Sequence, residues 1–416
     1  MTSLPPSIFR LDIGEKLLNL LDFVFLGAGA LCLFLTLSLP GRFYSVVMVY
    51  RELVYNQTFC FEAGGSLPSL RVAYHSSEGS PKGRKVVWIC HALTANSDPQ
   101  DWWPGMVGPG KVIDPKRYFV VCVNMLGSCY GSSGPSSPKG TRPYLLDFPE
   151  VTVRDMVEAN ILVRKHLGIS RVDFLLGSSI GGFQAVEWLV REPEVIGKAL
   201  LMATSARITP WISAWEEAQR LCLEADPTFR HPEILLSEAG SLSWNDTEAD
   251  SCVGNDSGAD ARNRTLLRGG HEGLKAARAV AMLSYRSYEG YNRTQTEPSE
   301  DALFAQRSPS YQRHQGTKLA DRFDAYSYYS LSRSVDSHNV GRGRGGVAAA
   351  LSRVKARVGV VGIDSDCCFP PSEVREMAGA IPGAEYREIT SAFGHDGFLL
   401  EYEQIGAIIT EILNRI

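Results

Sequence analysis

Ser179 lies in Gly177-Ser178-Ser179-Ile180-Gly181, between the apolar run Val172-Asp173-Phe174-Leu175-Leu176 and a stretch with helical spacing through Phe183, Val186 and Val190. A strand that turns sharply into a helix around a glycine-flanked serine is a nucleophile elbow. It lifts the hydroxyl out of the chain and aims a helix N-terminus at any charge that develops beside it. The five-residue pattern alone is weak in a chain with 39 glycines, where a structural serine in an ordinary Gly turn is the competing reading. The strand and helix patterns on either side carry the assignment.

A serine hydroxyl needs a base to attack at neutral pH, and a neutral histidine needs a carboxylate to fix its tautomer. With this elbow the partners are expected in the order Ser, acid, His, each on the loop after a strand. The run Val358–Ile363 leads into Asp364-Ser365-Asp366, and Glu385–Ile389 leads to Gly394-His395-Asp396-Gly397. His395 is therefore the candidate base, set against a surface histidine. Asp364 and Asp366 both fit the acid on position alone, the other being a loop-capping residue. One oxyanion donor is the N–H of Ile180, and a second is expected from His91-Ala92-Leu93-Thr94, after the strand ending at Cys90. There His91 either shapes the loop or competes as a base.

The elements that must position these groups are short strands at Leu70–Tyr74, Lys85–Cys90, Tyr118–Asn124, Val172–Leu176, Lys198–Met202, Arg357–Ile363 and Glu385–Ile389. Helical patterns at Val153–Leu167 and Tyr402–Leu413 join them. The alternation predicts an α/β fold with a mostly parallel sheet flanked by helices. Between residues 208 and 353 the rhythm stops, and helical stretches at Trp211–Ala225 and Gly273–Tyr288 predict an inserted helical cap. Its Gly-, Ser- and Asp-rich tract, 240–270, reads as a flexible loop. The core then comprises residues 58–207 and 354–416, after an N-terminal extension of residues 1–50.

Within that extension Phe23–Leu39 is 17 consecutive uncharged residues, a candidate transmembrane segment at the short limit of the ~20 residues a span needs. A buried helix and a signal peptide are the competing readings. The expectation is a single membrane anchor, with a cytoplasmic protein as the alternative. Sequons at Asn56, Asn245, Asn255, Asn263 and Asn292 leave the orientation open. A net charge of -4 argues against nucleic-acid binding by bulk charge. Nine cysteines without a C-x-x-C suggest neither a disulfide scaffold nor a zinc site, and the adjacent Cys367 and Cys368 are poorly placed to share one ion, so no metal is expected.

Five segments in order give the chain a more specific likeness. They are Cys90-His91-Ala92-Leu93-Thr94, Asn124 to Pro135, the elbow with Gln184 to Trp188, Ser365-Asp366 before Phe369-Pro370-Pro371, and Gly394-His395-Asp396. From about Phe59 onward the chain resembles the homoserine O-acetyltransferase family, the acyltransferase branch of the α/β-hydrolases. That resemblance implies an α/β-hydrolase fold, Asp366 as the acid, and Leu93 and Ile180 as oxyanion donors. It implies that Arg278 and Tyr285 hold an amino-acid acceptor, Arg278 by its carboxylate, and that Asp396 takes the ammonium. Seven residues apart, Arg278 and Tyr285 share one helix face. Cys367-Cys368 departs from the bulkier pair expected before Phe369, and Ser178 stands where the family often has Gly.

The activity implied is ping-pong transfer of an acetyl group from acetyl-CoA, a co-substrate rather than a bound cofactor, to the hydroxyl of L-homoserine in methionine synthesis. A homodimer is implied as well. Succinyl transfer to homoserine, acetyl transfer to L-serine and a membrane-tethered serine esterase are the rivals.

Overall fold

The computed structural model describes residues 48–239 and 258–414. Eight strands form one sheet: β1 (Met48–Tyr55), β2 (Leu70–Ser77), β3 (Val86–Cys90), β4 (Phe119–Val123), β5 (Val172–Ser178), β6 (Ile196–Met202), β7 (Arg357–Ile363) and β8 (Glu385–Ile389). Their spatial order is β1-β2-β4-β3-β5-β6-β7-β8. The first two pairings are antiparallel, and every pairing from β4 onward is parallel. The central strands β3 and β4 are buried along their whole length because helices cover both faces.

The longer helices are α1 (Val153–His166), α2 (Ile180–Arg191), α3 (Pro210–Glu224), α4 (Gly258–Leu267), α5 (His271–Tyr285), α6 (Tyr288–Gln295), α7 (Arg307–Ala320), α8 (Ala325–Asp336), α9 (Pro371–Ala380) and α10 (Tyr402–Asn414). A capping box at Thr152 and Asp155 starts α1. Trp188 of α2 meets Trp88 of β3 edge-on at 5.1 Å, and Asn160 of α1 accepts from the Trp88 indole at 2.8 Å. Such an aromatic pair adds ~0.5–1.5 kcal/mol beyond its buried area. It fixes α2, and with it the elbow, against the sheet.

The cap leaves and rejoins the sheet at one place. Arg207 and Asn339 form an antiparallel bridge, with Ile208 N–H donating to His338 O at 2.8 Å and Val340 N–H to Ala206 O at 3.0 Å. The outgoing stem therefore lies at 338–340, ahead of the predicted boundary at 353, and the short helix Val347–Leu351 follows it.

Three other expectations shift. The predicted extension 1–50 and core start at 58 miss β1, whose alternating burial marks a half-exposed edge strand crossing position 50. The predicted helix Gly273–Tyr288 stops at Tyr285, because Ser287 accepts from Gly290 N–H and caps α6 as a separate helix. The tract 240–270 is not loop throughout. Its second part is α4, which opens with Asp260 near its N-terminus and has Arg264 in its last turn, charges that suit the helix dipole. The remainder, 240–257, lies outside the described residues, as does the candidate span Phe23–Leu39. No helix among the described residues is long and apolar enough to cross a membrane.

Candidate active site

At the end of β5 the chain turns on Ser179, whose φ of 56° and ψ of -130° is a conformation few side chains adopt. The turn closes only because its neighbours lack side chains. A Cβ on Gly177 would strike the Gly181 carbonyl, one on Gly181 would strike the Cys90 carbonyl, and one on Gly182 would strike Thr204. The strained backbone is held from β6, with Ser179 N–H donating to Met202 O and Ala203 O at 3.2 Å and Thr204 Oγ1 donating to Ser179 O at 2.9 Å.

Three side chains from three strand ends meet in one line. In the Nδ1–H tautomer His395 donates to Asp366 Oδ2 at 2.8 Å, and its Nε2 accepts from Ser179 Oγ at 2.9 Å. Asp366 Oδ1 in turn accepts from Cys368 N–H at 2.8 Å and Phe369 N–H at 3.1 Å, so the carboxylate cannot rotate away. Asp364 does not join the line: it accepts from Ser391 N–H at 3.0 Å and holds the loop that carries His395, the capping role left open for one of the two aspartates. Ser179 alone of the three is partly exposed, as a group that must meet a substrate should be.

The imidazole is ringed by Phe369 and Phe398 at 5.3 Å and Tyr285 at 5.8 Å. Burial disfavours its charged form, but the Asp366 carboxylate outweighs this and raises its pKa above the ordinary value. The arrangement can therefore take a hydroxyl proton at Nε2 and stabilise the resulting imidazolium.

His91 has neither nitrogen to spare. It is fully buried, its Nδ1 faces Ala92 O at 2.9 Å and its Nε2 accepts from Met125 N–H at 3.2 Å. Burial lowers its pKa to about 4, so it stays neutral and braces the loop. Leu93 follows in that loop and Ile180 opens α2; among the described residues neither N–H donates to another backbone group. The close approach of Gly181 to Cys90 puts these two segments side by side.

The cap reaches this site through α5. Arg278 stacks over the Tyr285 ring, its guanidinium carbon 5.3 Å from the centroid, and among the described residues it has no carboxylate at ion-pair distance. The Tyr285 hydroxyl is tied to Tyr328 of α8, whose own hydroxyl reaches Gln219. Asp396 has a partner that its own motif did not point to. Burial raises its pKa, partly offset by Arg286, and its Oδ2 lies 3.1 Å from Arg286 Nε, which joins the cap to the His395 loop. Sequence reading missed Arg286, Thr204 and Tyr328. Arg286 had one usable signal, its position directly after Tyr285, whereas the other two lie far from any motif.

The strand order, the elbow and the inserted cap define a member of the α/β-hydrolase fold class, and the profile described as "alpha/beta hydrolase fold" matches residues 85–232. Esterase E22 shares the fold with a TM-score of 0.73 at 19% identity, covering 88% of this chain and 100% of that one. Closer likenesses narrow the class. The homoserine O-acetyltransferase of Cyclobacterium marinum is 38% identical over 90% of this chain and 97% of its own length. That of Chlorobaculum tepidum is 39% identical over 86% and 92%. The structure of the Staphylococcus aureus homoserine O-acetyltransferase aligns with a TM-score of 0.67 at 27% identity, over 88% of this chain and 95% of that one. The chain belongs to the homoserine O-acetyltransferase family.

Proposed function

We propose that the protein transfers an acetyl group from acetyl-CoA to the side-chain hydroxyl of L-homoserine, in methionine synthesis, through an acetyl-Ser179 intermediate. What supports this reading is the unbroken Ser179–His395–Asp366 line, with Tyr285 between His395 and an Arg278 that has no carboxylate at ion-pair distance among the described residues. His395 Nε2 takes the Ser179 proton as Oγ attacks the thioester, and the N–H groups of Leu93 and Ile180 receive the oxyanion. The imidazolium returns its proton to the departing thiolate. The same nitrogen then deprotonates the homoserine hydroxyl, which attacks the acetyl-enzyme and restores Ser179.

Water is the competing nucleophile, so the cap must bind the acceptor and hold it near the ester. Arg278 suits the acceptor carboxylate as a bidentate partner, and Tyr285 forms the wall between it and His395. Asp396 would take the ammonium while sharing its charge with Arg286. The test is a matrix of acetyl-CoA and succinyl-CoA against L-homoserine and L-serine, read as free thiol release. Acetyl-CoA with homoserine is expected to be fastest by at least tenfold, and equal thiol release without any acceptor would instead indicate an esterase. Arg278→Ala is expected to raise KM for homoserine by about 10- to 100-fold with little change for acetyl-CoA, which an unchanged acceptor KM would refute.

Assembly and location belong to the same proposal. A homodimer is part of this reading, and Leu221, Leu283 and Tyr288 are large apolar side chains left exposed on the cap helices. The uncharged run Phe23–Leu39 suits a single anchor. Centrifugation checks both: the full chain should pellet with membranes, and a chain lacking residues 1–45 should sediment as a soluble dimer. Soluble full-length protein, or a truncated monomer, would overturn the corresponding part.

A further inference from the structure

The departure from family pattern at Cys367-Cys368 has a structural counterpart. Successive side chains on an extended strand point to opposite faces, which is why neighbouring cysteines seldom share a partner. Here the chain bends after Asp366, and both thiols donate to the same acceptor, the Ser284 carbonyl at the end of α5, at 3.1 Å from Cys367 Sγ and 2.9 Å from Cys368 Sγ. The sulfurs are therefore neighbours on one side of the loop. Ligand atoms of Cys368, Asp366 and His395 also lie within 4.8 Å of one another, and all three residues are buried. Neither cysteine is needed for the acyl-transfer steps proposed above.

We propose that this cluster is an inhibitory site for a thiophilic divalent cation, Zn2+ being the physiological candidate, with Cys367 Sγ, Cys368 Sγ, His395 Nδ1 and an Asp366 oxygen as ligands. Two sulfurs, one imidazole and one carboxylate are donors zinc accepts in a tetrahedral shell, with bonds of ~2.3 Å to sulfur and ~2.0–2.2 Å to nitrogen and oxygen. Such bonds place neighbouring ligand atoms ~3.3–3.8 Å apart, a contraction of about an ångström from the widest spacing among Asp366, Cys368 and His395. Cys367 Sγ, held outside that group on the Ser284 carbonyl, must swing in to complete the shell. Cys367 is partly exposed and offers the ion its first contact, while the buried Cys368 completes the pair.

Binding is balanced by protons. Each thiol loses one as its Sγ–metal bond forms, so two are released per ion. The Nδ1 proton of His395 moves to Nε2, since Nδ1 must present its lone pair to the metal. That shift is the inhibitory step: a protonated Nε2 cannot accept from Ser179. Inhibition thus rests on the Ser179–His395 reading, whereas binding does not.

Cd2+ serves as the spectroscopic probe on the full-length, chelator-treated protein. One equivalent should produce the ultraviolet thiolate-to-metal charge-transfer band of two sulfurs and release about two protons, and Zn2+ should displace it. Zn2+ should also inhibit both acetyl transfer and hydrolysis of nitrophenyl acetate, reversibly by EDTA. Cys367→Ser, a partly exposed position that should fold normally, is expected to halve the band and weaken zinc inhibition at least tenfold relative to its own metal-free rate. A band that persists in Cys367→Ser/Cys368→Ser, or zinc inhibition unchanged by Cys367→Ser, would overturn the site. A correct band without inhibition would leave the ion bound but refute the Nε2 mechanism. The band requires no substrate, so failure of the homoserine reading leaves this result readable.

Discussion

Ser179→Ala is expected to lower the turnover of acetyl-CoA with homoserine by about 10⁴- to 10⁶-fold, the loss seen when a serine nucleophile and its base act as a unit. The fold should survive. Among the described residues the Ser179 side chain bonds only to His395, while the strained backbone is held by Met202, Ala203 and Thr204, and none of those contacts uses the hydroxyl. The measurement is free thiol release together with mass spectrometry of the protein after acetyl-CoA alone. Wild type should gain one acetyl group and the variant none. A variant that turned over within tenfold of wild type would remove Ser179 from the reaction.

Asp366→Asn is expected to cost about 10⁴-fold in kcat, and it should also move the pH profile in a defined direction. In the native site the carboxylate raises the His395 pKa against the effect of burial. The base form is the active one, so the native rate falls as pH drops through a value above that of an ordinary imidazole. Without the carboxylate, burial is opposed only by the smaller effects of Asp396 and Cys367, and the acidic limb should shift to lower pH. An Asn amide can also donate to Nδ1, which forces the remaining proton onto Nε2 and leaves the wrong tautomer. The profile of kcat/KM against pH separates the two effects. A large rate loss with the limb unmoved would mean that Asp366 only orients the ring.

The parts of this molecule that were legible in the sequence are those whose information is local. The apolar runs of β3, β5 and β7 announce buried strands, and the glycines around Ser179 announce a turn that only small residues permit. Order along the chain then placed His395. The choice between Asp364 and Asp366 was different, because both sit at the end of β7 and only three-dimensional hydrogen bonding separates them; family resemblance supplied what the residues could not. Edge strand β1 was missed because its half-polar alternation carries little of the continuous hydrophobicity that marks the centre of a sheet. In the cap, composition misled over α4, whose polar residues are compatible with a helix lying largely on the surface. The Arg286–Asp396 pair joins the cap to the His395 loop across 110 residues, and no pattern within either segment records the other.

The two hydrogen-bonded stems of the cap have an evolutionary consequence. Because Ile208 pairs with His338 and Val340 with Ala206, the chain leaves and rejoins the sheet at one clasp, while side-chain ties such as Arg286–Asp396 fasten the insertion to the loops around the site. The entropy of closing such an excursion grows with the logarithm of its length, ~0.6 kcal/mol per doubling. Segments beyond the clasp that make no such tie can therefore be gained, lost or rewritten at little expense to the open sheet that carries the chemistry. A lineage could exchange one acceptor for another by rewriting the insertion while the elbow beneath it stays fixed, so that the two halves of the molecule diverge at different speeds.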